Sequence, residues 1–125
     1  MAKARLIYWD TCIFLDAIQQ TPEWKEILQQ IVLAAESGDV LIVTSAVTLA
    51  EVINDKKSGA KLPKPEMEKI IAGVFDNEYV AVRPLDTDLA TKARIIARDH
   101  GLHPMDAIHV ATAVDAKVSV MHTRD

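Results

Sequence analysis

The chain is 125 residues long, half of them apolar and 26% charged, with a formal net charge of −4. That length suits one domain, residues 1–125, with a core of its own, and no apolar run reaches the ~18 residues a membrane-spanning helix needs. The acidic balance excludes nucleic-acid binding by bulk charge alone, while the lone cysteine, Cys12, excludes an internal disulfide and points to the cytoplasm.

Leu6–Trp9 is a short apolar run of strand formers that ends at Asp10, too short for a secretory signal. Thr11 then caps a helix carrying Ile13, Phe14, Leu15 and Ile18. Thr21-Pro22 opens a second helix, with Pro at its first position, Glu23 and Glu26 in the first turn, and Trp24, Ile27, Leu28, Ile31 and Val32 at helical spacing up to Gly38. Val40–Val43 is a continuous apolar run rich in β-branched residues, the pattern of a parallel strand covered on both faces. Ser45 caps a helix that runs to about Lys57. Pro63 and Pro65 punctuate the next boundary, and Glu66 to Asp76 is helical. Tyr79–Val82 is a third strand, closed by Pro84. Asp86 and Asp88 open a helix ending at Gly101, Pro104-Met105-Asp106 opens an alanine-rich one, and Val118–Met121 is the last strand. Strands alternating with helices predict an α/β fold with a mostly parallel sheet.

Four acids stand beside these elements: Asp10 after strand one, Glu51 inside the helix after strand two, Asp106 opening the alanine-rich helix, and Asp125 after the last strand. In open parallel sheets, functional groups collect beyond the carboxyl ends of the strands. Four carboxylates in one cleft repel one another unless a cation holds them ionised. Oxygen ligands without a Cys/His cluster favour Mg²⁺ or Mn²⁺ over Zn²⁺. Each acid also has a plainer role. Asp10 suits a solvated strand end, Asp106 a helix-dipole partner, Glu51 part of a surface charge pattern and Asp125 a tail residue. Lys56, Lys57, Lys61 and Lys64 suit a solvated loop as well as an RNA-backbone contact. His109, three positions after Asp106, suits core packing better than ligation. Trp9, Trp24 and Cys12 read as packing residues.

The segments Tyr8–Leu15, Ser45–Val52, Asp106–Ala113 and Thr123-Arg124-Asp125 together resemble a PIN domain, in particular a small toxin-type nuclease of the VapC kind. They stand in that family's order and spacing, and the resemblance implies its three-layer α/β/α sandwich across essentially the whole chain. It implies that Asp10, Glu51, Asp106 and Asp125 form an acidic quartet binding Mg²⁺ or Mn²⁺, with Thr11 and Thr123 as supporting polar residues. The family continues for a short segment past the fourth acid, its most variable ligand position; this chain stops at Asp125. The implied activity is endonucleolytic cleavage of single-stranded or looped RNA. The implied partners are an inhibitory antitoxin, VapB-like, and a second copy of the chain.

Two other metal-assisted phosphate folds fit poorly. A haloacid-dehalogenase-type phosphatase wants a second acid where Cys12 stands, and a receiver-like domain wants paired acids near strand one and a lysine after the last strand. A PIN-like RNA- or protein-binding module with little catalysis and a housekeeping RNA-processing nuclease are the alternatives. The helices of residues 22–37 and 65–78 carry more apolar positions than one small core takes up, which suits dimer or antitoxin contacts.

Overall fold

The computed structural model describes residues 3–52 and 64–124. In chain order it places β1 (Arg5–Trp9), α1 (Thr11–Gln19), α2 (Lys25–Glu36), β2 (Val40–Ser45), α3 (Ala46–Glu51), α4 (Lys64–Phe75), β3 (Val80–Arg83), α5 (Thr87–His100), α6 (Pro104–Asp115) and β4 (Val120–His122). The four strands form one parallel sheet in the order β3-β2-β1-β4, with Ile7 opposite both Ile42 and Val120. Helices flank it, giving the α/β/α sandwich expected from the sequence.

Side chains alternate across a strand, and that alternation divides the core. Ile7 and Trp9 of β1, Ile42 of β2 and Val80 of β3 face one way, against Ile13 and Phe14 of α1, Leu28 and Ala35 of α2, and Val74 and Phe75 of α4. Tyr8 and Val43 face the other way and meet Ala113 of α6. Beyond α6 lies α5, whose Leu89 and Ala93 pack on Ala107 and Ala111. Alanine on the facing side of α6 lets the two helices approach closely, as the composition of that helix predicts.

Several boundaries differ from the sequence expectation, each for a local reason. Asp10, not Thr11, is the N-cap of α1: its carboxylate accepts from the Ile13 N–H at 3.3 Å, and Thr11 becomes the first helical residue. The second helix starts at Lys25 rather than Pro22, because the Trp24 N–H donates to the Thr21 carbonyl at 3.0 Å and closes a turn first. The described part of the third helix ends at Glu51, with Val52 as C-cap; its expected continuation to Lys57 lies outside the described residues. β4 begins at Val120 because the Val118 N–H donates to the Ala113 carbonyl at 3.3 Å, tying that segment to the end of α6. Of the apolar positions expected on α2 and α4, Ile27 and Ile70 stay exposed, as does Leu33.

Candidate active site

The carboxyl ends of β1 and β2 lie side by side and are tied together. Thr44 donates its hydroxyl to the Trp9 carbonyl at 2.8 Å and shares a second hydrogen bond with Thr48 at 2.8 Å. Ser45 caps the helix that follows by accepting from the Val47 N–H at 3.1 Å. These bonds fix where α3 begins, and so where its last residue, Glu51, comes to lie.

Glu51 comes to lie against Thr11. The Thr11 hydroxyl donates to Glu51 Oε1 at 2.6 Å, and the same oxygen lies 3.0 Å from His109 Nε2. His109 Nε2 is also 3.3 Å from the Thr11 hydroxyl, while its Nδ1 lies 2.7 Å from the Tyr8 hydroxyl. Tyr8 is fully buried, and burial pushes its phenol far above the ordinary value. The direction of these hydrogen bonds is set at the Glu51 end: a carboxylate oxygen only accepts, so Nε2 is the donor to Glu51. In a neutral imidazole Nδ1 then accepts from the Tyr8 hydroxyl. The proton of a neutral His109 then sits on Nε2, aimed at Glu51. Tyr8, His109, Glu51 and Thr11 form one directional chain of hydrogen bonds running from the sheet to the carboxylate.

The expected site residues fare differently. Asp10, 7% exposed, follows β1 and commits Oδ1 to capping α1. Glu51 and Thr11 meet directly. Asp106 is exposed in the first turn of α6, one turn before His109, so α6 brings it to the same end of the sheet. Thr123 follows β4 at that end too, and Asp125 lies outside the described residues. The basic cluster falls there as well: Lys56, Lys57 and Lys61 are not described, nor is the side chain of Lys64.

As donors, these acids suit a hard divalent cation. Oδ1 of Asp10 and Oε1 of Glu51 are engaged by the protein, so the second oxygen of each is the one a cation would take. Among the described residues, however, no three His, Cys, Asp or Glu side chains converge closely enough to hold a metal ion.

Sequence reasoning missed two participants, Tyr8 and Asp16, and weighed a third, His109, toward packing. Tyr8 was one more strand apolar, and only its facing toward α6 reveals its hydroxyl. His109, expected as packing, is indeed 5% exposed but sits in the polar chain. Asp16 gave a usable signal: it is an acid in a strongly apolar helix, one residue from Leu15 and Ala17. It is buried and paired with Arg124.

The chain matches the PIN domain family over residues 7–125. Among the solved structures that resemble it in fold are the following two. One is a toxin–antitoxin complex from Klebsiella pneumoniae, 24% identical with a TM-score of 0.68, covering 95% of this chain and 86% of that one. The other is VapBC2 from Rickettsia felis bound to a DNA fragment from its promoter, 14% identical with a TM-score of 0.63, covering 92% and 84%. No curated protein matches the chain.

Proposed function

The chain belongs to the PIN-domain family, whose members are generally nucleases, and on that premise we propose that it is a metal-dependent endoribonuclease acting on single-stranded or looped RNA. The observation that carries this reading is the meeting of Thr11, Glu51 and His109 at the carboxyl end of the sheet, beside Asp10. It joins α1, which Asp10 caps, to α3 and α6, which carry Glu51 and Asp106. Asp10, Glu51, Asp106 and Asp125 would hold Mg²⁺ or Mn²⁺. When bound, such an ion supplies a water of lowered pKa and offsets the charge of the scissile phosphate.

The remaining work falls to the chain itself. Thr11 and His109 hold one oxygen of Glu51 in place, so the other keeps a fixed direction. Asp10 is held by its capping bond to α1. Thr123 supplies a hydroxyl two positions before the fourth acid in sequence. The buried wall of Tyr8, Thr44 and Thr48 keeps bulk water from the rear of the site. No side chain is needed as a covalent nucleophile.

In the cell this nuclease would be the toxin of a type II pair, held by a VapB-like antitoxin and paired as a homodimer. The likeness to a toxin–antitoxin complex and to VapBC2 supports that role. Exposed Ile27 and Leu33 on α2 and Ile70 on α4 offer apolar contact surface. Among the described residues no helix is long and apolar enough to cross a membrane.

The test is cleavage of labelled RNA by purified protein with Mg²⁺ or Mn²⁺, and by Asp10→Asn and Asp106→Asn. Each variant should lose at least about 100-fold in rate, comparable to losing a major electrostatic contribution, with its circular dichroism unchanged. Cleavage at the wild-type rate by either variant, or undiminished cleavage in chelator, refutes the reading. RNA binding without cleavage would instead identify a binding module.

A further inference from the structure

Asp16 is 2% exposed in the middle of α1, an expensive place for a carboxylate. Its Oδ1 accepts from the Thr21 hydroxyl at 2.9 Å. Its Oδ2 is fully buried and, among the described residues, has no aligned hydrogen bond; the Nε of Arg124 lies 3.1 Å away in a charge contact. The chain reaches Arg124 directly from β4, and the Asp10 N–H donates to the His122 carbonyl at 3.5 Å, so the segment leaving β4 runs beside the first acid. Burial opposes the charge on Arg124, yet Asp16, Cys12 and Asp10 together hold it above its ordinary value. The Arg124 side chain is still 44% exposed.

A guanidinium is planar, with donor edges that face different ways. An Arg anchored through Nε turns the edge formed by its two terminal nitrogens away from the anchor. Cys12 also bonds this group, but sulfur is a weak acceptor that a phosphate oxygen displaces readily. The surroundings need such a cation. The chain carries a net charge of −4, and Asp10, Glu51 and Asp106 all lie toward the carboxyl end of the sheet, where a polyanion would have to approach. Arg124 also lines a groove of about 670 Å³ with Trp24, Ile31 and Met121, large enough to take a nucleotide.

We propose that Arg124, aimed by the buried carboxylate of Asp16, is a backbone-phosphate contact for RNA beside the acidic site. Asp16 is a positioning residue and Arg124 a binding residue. This rests on RNA being the substrate, and it deepens that reading by assigning the group that holds the strand.

The test is binding of fluorescein-labelled single-stranded RNA in chelator across a salt series, with cleavage in Mg²⁺ followed in parallel. Arg124→Gln should bind about tenfold more weakly. Its log–log salt slope should be shallower by about 0.7, the loss of one phosphate contact on a single strand. Arg124→Lys should recover most of the slope. Because Arg124→Gln leaves Asp16 buried without a counterion, the double variant Asp16→Asn/Arg124→Gln is the second arm. It removes both charges, keeps the net charge of the chain, and should show the same shallower slope. A wild-type slope and affinity in the folded double variant overturn the proposal and make the pair a structural clip. Cleavage by wild type together with that result leaves the nuclease reading standing. Binding that depends on Arg124 without any cleavage supports the contact and removes the nuclease reading. A wild-type protein that neither binds nor cuts RNA removes both.

Discussion

A buried histidine needs a partner at each ring nitrogen, and His109 finds them in Tyr8 on the strand side and Glu51 on the solvent side. The Tyr8 hydroxyl supports the tautomer whose Nε2 proton faces the carboxylate. Tyr8→Phe removes one oxygen, keeps the packing and leaves Nδ1 without its donor. Losing a buried hydrogen bond in this way costs about 1–3 kcal/mol, which urea denaturation will register. With Glu51 less firmly held, RNA cleavage should fall by about 10–100-fold, the usual effect of removing a group that orients a ligand residue, while RNA affinity in chelator stays at the wild-type level. Weaker RNA binding with an unchanged cleavage rate would place Tyr8 on the substrate rather than behind Glu51.

At the scale of the element, caps decide where each helix begins and ends. Asp86 caps α5 by accepting from the Leu89 N–H at 2.8 Å, and Gly101 ends the same helix with φ +65, its N–H donating to the Ala97 carbonyl. A Cβ on Gly101 would meet nothing within 4 Å, so Gly101→Ala isolates the cost of the left-handed backbone, about 1 kcal/mol. Gly73 lies within α4, equally unobstructed and without a positive φ. Gly73→Ala should therefore stabilise by about 0.5–1 kcal/mol. Thermal melts of the two variants should move in opposite directions. The caps also explain what was readable in advance. Asp86, Gly101 and Pro104 are local signals, and the helices they bound lie where the sequence puts them. Thr11 misled because Asp10 competes for the same cap, and which of two adjacent cappers wins depends on what else each can bond.

The whole molecule depends on β4 closing one edge of the sheet with only a short strand. Part of that closure is the Trp9 indole N–H donating to His122 Nδ1 at 3.0 Å, across neighbouring positions of β1 and β4. Burial, and secondarily the charge of Arg5, lower the pKa of His122 below the ordinary 6.5. The folded protein thus takes up this proton less readily than the unfolded chain. Its stabilising contribution is fully present above about pH 6.5, declines as pH falls below that value, and is gone once pH passes the lowered folded value. Protonation also fills Nδ1 and ends its role as acceptor from Trp9. Urea melts at pH 7.5 and pH 5 should show a larger loss for wild type than for His122→Asn, whose side chain does not titrate. Equal losses would show that this histidine does not couple acid to the β4 edge.

Local chemistry in the sequence was enough to determine the strands, most helices, the parallel α/β class and the family resemblance. Hydrophobic period, caps and breakers act over a few residues and leave their mark in linear order. Tertiary structure alone decided which polar groups meet. Tyr8 and His109 are 101 positions apart, Thr11 and Glu51 are 40 apart, and Asp16 finds Arg124 at the opposite end of the chain. Pairings of that range follow from strand order and from which face of the sheet each side chain takes. Neither property is carried by any one segment, so the polar chain behind Glu51 and the buried anchor of Arg124 exist only once the sheet has closed.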